Sequence, residues 1–200
     1  MNTKQLALSA AIAIGLGACN SEPASQFPAE PPLAGASIGG PFSLVNSKGE
    51  TVTNDSLKGD WRLVYFGYTF CPDVCPVDVE RMARAYANVK TGQPELAEDL
   101  TPVFITVDPA RDTEEVVGEF AAAFSPDMIG LTGSDEAVAE AVNAYRVYAT
   151  LGEPRDDGFY LVDHSAYIYL MDPDGQPVNS YDRATPPEAI AADIEHWMTS

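Results

Sequence analysis

Two thiols stand four residues apart in the segment from Thr69 to Pro76, TFCPDVCP. If the residues between Cys71 and Cys75 coil, that spacing turns both sulfurs to one side, close enough to share one ion or to become a disulfide. Cys75 falls at the expected start of a helix, with Pro76 suited to its first turn. There the backbone N–H groups and the helix dipole favour thiolate over thiol. A structural zinc site wants four protein ligands, and the folded part of the chain offers only these two cysteines. A third donor would be one of two histidines. His164 lies in Asp163-His164-Ser165, between two expected strands and beside a reversal. His196 sits on the terminal helix between Glu195 and Trp197 and reads as solvated or capping. Two thiolates and one imidazole suit copper: soft thiolates hold Cu(I), and a nitrogen donor helps accommodate Cu(II). Asp163 could orient that imidazole, or could equally be a turn acid bonding its own backbone.

The elements that must position these groups alternate. Phe42–Val45 and Thr51–Val52 flank a Ser47-Lys48-Gly49 turn and read as a hairpin. Arg62–Phe66, bounded by Gly59 and Gly67, fits a buried strand, and the thiol segment follows its carboxyl end, where open α/β sheets favour ligand sites. Pro76–Val89 is helical, with Val79, Met82, Ala83 and Tyr86 on one face. Pro102–Val107 is a second buried strand, and Asp112 with Glu115 forms a capping-box pair before a helix ending at Phe124. Met128–Leu131 is a short strand. Ser134 caps a helix lined by Val138, Ala141 or Val142, Tyr145 and Tyr148. Gly158–Val162, Ala166–Met171 and Pro177–Tyr181 read as strands, the last two joined by the turn Asp172–Gly175. Thr185, Pro186 and Glu188 open the terminal helix. Such alternation, closed by a hairpin and a helix, predicts an α/β fold: a mixed sheet flanked by helices, with an N-terminal hairpin.

The chain of 200 residues carries 30 acidic and 11 basic residues, a net charge of −19, and 46% hydrophobic residues. The apolar material is spread throughout and excludes a disordered acidic tail. No basic stripe exists to neutralise phosphates, which argues against nucleic acid. Residues 1–18 read as a signal peptide: Lys4 gives a sparse positive region and Leu6–Ala18 an apolar stretch too short to span a bilayer comfortably. It ends in Leu16-Gly17-Ala18-Cys19, which resembles the lipobox of bacterial lipoproteins and implies a lipidated Cys19. Residues 19–37 are a proline-rich linker, leaving 38–200 as the folded domain. The acidic chain repels anionic headgroups, so lipid would hold it at a membrane.

Three segments together resemble the Sco/SenC family of thioredoxin-like copper proteins needed for cytochrome c oxidase assembly. They are Val64–Pro76 (VYFGYTFCPDVCP), Thr106–Thr113 (TVDPARDT), and Val162–Ser165 (VDHS) leading to Tyr169–Gly175 (YLMDPDG). The likeness covers about Ile38 to Met198. It implies a thioredoxin-like fold and one copper ion, Cu(I) or Cu(II), per chain, with Cys71, Cys75 and His164 as ligands. Phe70 departs from the histidine many members carry before the first cysteine, which should alter loop packing and not metal binding. Asp108, Arg111 and Asp112 match kept positions, with no better role than folding the strand end.

The resemblance implies a metallochaperone rather than an enzyme. It would be lipid-anchored in a bacterial envelope with its domain outside the cytoplasm, on the periplasmic side. Its recipient would be the oxidase subunit with the dinuclear copper site, and another copper chaperone or a thiol reductant would be a further partner. The alternative is a thiol–disulfide oxidoreductase whose redox-active pair is Cys71 and Cys75. A Cys-x-x-Cys spacing would favour that class more strongly than the three intervening residues found here. A thiol peroxidase has no support beyond the pair itself.

Overall fold

The structure, a computed structural model, describes residues 27–200; the segment read from sequence as a signal peptide, and Cys19, lie outside them. Its central strand β3 (Trp61–Gly67) pairs in parallel with β4 (Leu100–Thr106), and β4 pairs in parallel with β5 (Ile129–Thr132). The N-terminal hairpin, β1 (Ser43–Asn46) and β2 (Thr51–Thr53), adds antiparallel to β5. On the other side β8 (Ile168–Met171) runs antiparallel to β3, and β9 (Pro177–Tyr181) closes the edge. The result is a seven-stranded mixed sheet of order β2-β1-β5-β4-β3-β8-β9. Leu63, Val64, Tyr65 and Phe66 are all buried, as a strand covered on both faces requires.

Side-chain alternation sorts the helices into two layers. Tyr65, paired with Phe104, faces α1 (Val74–Gly92), where its hydroxyl donates to Asp78 at 3.1 Å; Phe104 meets Phe120 of α3 (Glu114–Phe124) on the same face. The terminal helix α5 (Pro187–Met198) joins that layer, since Tyr181 donates to Asp193 at 2.8 Å. The opposite face presents Phe66 and Tyr169 to Tyr145, at the end of α4 (Asp135–Ala144). Two glycines permit the close approaches. A Cβ on Gly130 would lie 2.2 Å from the Val117 carbonyl oxygen of α3, and one on Gly67 would lie 3.2 Å from Cys75 Sγ.

Several local expectations shift. Asp112 is not the capping acid: Thr113 caps α3, accepting from Val116 N, while the Asp112 carboxylate is buried inside. Ser134 caps α4 as expected, but α4 stops at Ala144, where Arg146 adopts φ 55°, so Tyr148 is not helical. The terminal helix is capped one residue later than expected, at Pro186 with Pro187 in the first turn. A short helix α2 (Pro94–Glu98) was not foreseen. The expected strand Gly158–Val162 is replaced by a separate two-stranded hairpin, β6 (Ala149–Leu151) with β7 (Val162–His164), joined by an irregular loop. From residue 27 on, the proline-rich segment ahead of the expected domain start is fastened to the domain. Leu33 N donates to the Val178 carbonyl (3.0 Å), Arg146 Nε to the Ser37 carbonyl (3.1 Å) and Gly39 N to the Ala144 carbonyl (3.0 Å). Phe27 stacks on His196 with ring centroids 4.2 Å apart.

Candidate metal centre

The thiol loop leaves the carboxyl end of β3 and is held from below by Asp112. That carboxylate accepts from Thr69 N (3.0 Å), Thr69 Oγ1 (2.6 Å) and Thr106 Oγ1 (2.7 Å). Burial pushes the Asp112 carboxyl up, and these hydrogen bonds work against that rise. Tyr68 O then accepts from Cys71 N, so the chain turns back and enters α1 two residues before Pro76, with Cys75 inside the first turn.

Cys75 N donates to Cys71 Sγ at 3.4 Å, and Cys75 Sγ lies 3.2 Å from His164 Nε2. The three residues named from sequence therefore come together, with Cys75 as the middle member. Both thiols are buried and reduced, Cys71 at 9% exposure and Cys75 at 0%. No preformed cluster of three such donors around one point exists among the described residues. The other His164 nitrogen fixes its tautomer: Nδ1 lies 3.0 Å from the Ser165 carbonyl, which only accepts, so Nδ1 carries the proton and Nε2 presents a lone pair to Cys75. Orientation thus comes from a backbone carbonyl and not from a hydrogen bond to Asp163, whose side chain is exposed. Rings of Tyr65 and Tyr68 stand edge-on to the imidazole at 6.1 and 5.9 Å. His196 is remote, on α5 against Phe27.

The two thiols sit in different electrostatics. For Cys71, burial alone would raise the thiol, but N–H groups of Cys75, Asp73 and Val74 and the Cys75 side chain together hold it below its ordinary value. Burial pushes Cys75 well up, reinforced by Cys71 next to it, so the thiolate expected at the helix start is favoured at Cys71 and not at Cys75. Burial also pushes His164 below its ordinary value, which keeps the imidazole neutral and available as a donor near pH 7.

A buried acid under the site was missed in the sequence. Asp78, 1% exposed, accepts from Tyr65 Oη and from Arg81 Nη2, both at 3.1 Å, with Arg183 Nε 3.8 Å away. Arg81 in turn donates to the Asp182 and Thr185 carbonyls. The signal was available: Asp78 sits at i+3 from Cys75, on the same stripe as Val79 and Met82. A carboxylate on an apolar stripe needs a partner.

The centre opens into a shallow cavity of about 330 Å³ lined by Tyr68, Cys71, Val74, Leu161, Val162 and His164. A larger cleft of about 740 Å³ lies between the N-terminal hairpin and the starts of α3 and α4, with no thiol or imidazole in its lining.

A reduced thiol pair and a neutral imidazole at the carboxyl end of the central strand of a thioredoxin-like sheet define a dithiol protein equipped with a nitrogen donor. The SCO1/SenC family model matches residues 30–199, and the chain belongs to that family. Protein SenC of Rhodobacter capsulatus is 48% identical over 161 residues, 80% of this chain and 71% of the relative. The mitochondrial SCO1 homolog of Homo sapiens is 42% identical over 80% of this chain, but only 53% of the longer human protein is matched. Among solved structures, Arabidopsis thaliana ScoI with copper bound superposes with a TM-score of 0.73 at 39% identity, covering 82% of this chain and 99% of that one.

Proposed function

We propose that the domain binds one copper ion through Cys71, Cys75 and His164 and hands it to a partner protein, the oxidase subunit that carries the dinuclear copper site. The observation that carries this reading is the 3.2 Å approach of His164 Nε2 to Cys75 Sγ, with Cys71 Sγ one hydrogen bond away. Two soft thiolates and one imidazole are a copper donor set. Three ligands leave a coordination position free, so an incoming thiolate can bind before the first ligand leaves. The copper-bound ScoI of Arabidopsis thaliana supports the choice of metal. The resemblance of the three sequence segments to cytochrome c oxidase assembly proteins supports the recipient.

A protein partner is further supported by the surface around the centre. Phe70, Val77, Tyr148, Leu151, Leu161 and Tyr167 are the exposed large apolar side chains among the described residues. All six belong to the thiol loop, the first turns of α1 or the segment around the His164 hairpin. Exposed apolar groups gathered on one site mark a docking surface. Anaerobic Cu(I) titration of the reduced domain tests the metal assignment: saturation at one ion per chain is expected, and no binding or a different stoichiometry would overturn it.

The second reading, thiol–disulfide exchange with a cysteine pair of a partner, is favoured by the depressed Cys71 thiol. Its thiolate would attack the partner's disulfide to give a mixed disulfide. Cys75 would then displace the partner's thiol, leaving a Cys71–Cys75 disulfide and a reduced partner.

Attachment to the bacterial envelope belongs to the same proposal. No helix among the described residues is long and apolar enough to cross a membrane. The Leu16-Gly17-Ala18-Cys19 sequence instead supports a lipid on Cys19, with the domain on the periplasmic side. Palmitate labelling of the wild type and its loss in Cys19→Ala is the expected result; equal labelling of both would rule the anchor out.

A further inference from the structure

The hairpin that carries His164 belongs to no large sheet. β6 pairs only with β7, and Gly152 N to the Leu161 carbonyl (2.8 Å) and Ser165 N to the Tyr148 carbonyl (2.9 Å) are ties within the same segment. The chain re-enters the main sheet only at Ile168, so side-chain ties from the body help to hold the imidazole over Cys75. Besides a hydrogen bond between Tyr68 and the Val162 backbone, the polar ties from this segment to the body converge on the loop after β4. Arg111 Nη1 donates to the Tyr160 carbonyl at 3.0 Å, and Tyr160 Oη donates to Asp108 at 2.8 Å. Asp108, itself buried, also accepts from Arg111 Nε at 2.5 Å.

The guanidinium sits inside four rings taken from both sides of the site. Its centre lies 3.6 Å from the Tyr160 ring and 5.9 Å from Phe159, both on the hairpin loop. It lies 5.2 Å from Phe70 and 5.5 Å from Tyr68, both on the thiol loop. Tyr68 is the same ring that stands edge-on to His164. A planar cation stacks on such faces and bonds in its own plane at once, which an ammonium does not do. Arg111 Nη2 is buried with no partner. Merely filling space here would be done better by an apolar side chain.

We propose that Arg111 is a positioning residue for the metal centre: it latches the His164 hairpin to the thiol loop and so sets the distance between His164 and Cys75. The inference rests on the copper reading, and it works through His164 without Arg111 touching the ion.

The test compares wild type with Arg111→Met, with Arg111→Lys, and with Arg111→Met combined with Asp108→Asn in case the lone carboxylate prevents folding. Each is also made in the His164→Ala background, and folding is checked by thermal unfolding. Cu(II) should leave Arg111→Met roughly tenfold faster than wild type, with an altered thiolate charge-transfer band, as the loss of an outer-shell partner does elsewhere. Arg111→Lys should recover only part of this. In the His164→Ala background the Arg111 change should have no further effect on the residual copper complex. A copper-independent arm separates this proposal from the one beneath it. Cys75 is fully buried under His164. In the apo protein its alkylation by iodoacetamide should rise roughly tenfold when the latch is opened. If wild type binds no copper, the functional reading fails and the alkylation arm alone decides. Copper release and Cys75 alkylation both within about twofold of wild type, or an equal effect without His164, would overturn the role of Arg111.

Discussion

Replacing either thiol by Ser is expected to abolish tight Cu(I) binding. Cys75 is the middle donor, touching Cys71 through its backbone N–H and His164 through its sulfur. Cys75→Ser leaves a thiolate and an imidazole with no soft atom between them. Cys71→Ser leaves the buried Cys75 sulfur as the lone soft donor, and that thiol resists ionisation because of its burial. One thiolate cannot make the two-sulfur set Cu(I) prefers. The loss should exceed about a hundredfold, beyond what removal of an outer-shell partner costs. A competition titration with a Cu(I) chelator reads it directly. Unchanged stoichiometry and affinity in either variant would dismiss the ligand assignment. Thermal unfolding should accompany Cys75→Ser, since a hydroxyl placed at a fully buried site costs stability unless it finds a partner.

His164→Ala should divide copper chemistry from thiol chemistry. Disulfide exchange needs only the two sulfurs, and both stay where the Asp112 and α1 contacts place them. Dithiol–disulfide cycling should therefore persist. Cu(I) binding should weaken but survive on two thiolates. Cu(II) loses the nitrogen donor whose lone pair the Ser165 carbonyl directs toward Cys75, so the Cu(II)–thiolate absorption should vanish. Oxidase maturation should fail in a cell whose only copy of the protein carries the substitution. Full rescue of oxidase activity at limiting copper would make the thiol–disulfide reading the better one.

What the sequence revealed divides along physical lines. β3 and β4 were legible because strands covered on both faces are continuous apolar runs, and α1 because its stripe repeats at helical spacing. That the two thiols and one histidine could meet was legible because the chain holds so few thiols and imidazoles. The His164 hairpin was not. Its β6 residues are mostly exposed and its loop is rich in Gly, Pro and Asp, so its shape is set by what it meets, above all Arg111 and Asp108. Asp112 misled for a different reason. The order Asp112, Thr113, Glu115 offers two caps in a row, and only burial shows that Thr113 takes the cap while Asp112 turns inward to Thr69. Local pattern cannot separate an acid that caps from an acid that accepts in the interior.

The fastening of residues 27–40 has a mechanical consequence. Val178 opens β9, which runs in the same direction as β3, and Ala144 and His196 lie near the ends of helices running the opposite way. The N-terminal segment therefore grips the end of the sheet remote from Cys75, a separation of about 23 Å for the seven residues of β3. Force applied along that segment enters through Leu33, Ser37 and Gly39 and is spread across the hydrogen-bonded strands. The thiol loop, hung from the far end, lies off that path. Strain on the N-terminal segment and the spacing of the two thiols are thereby insulated from one another.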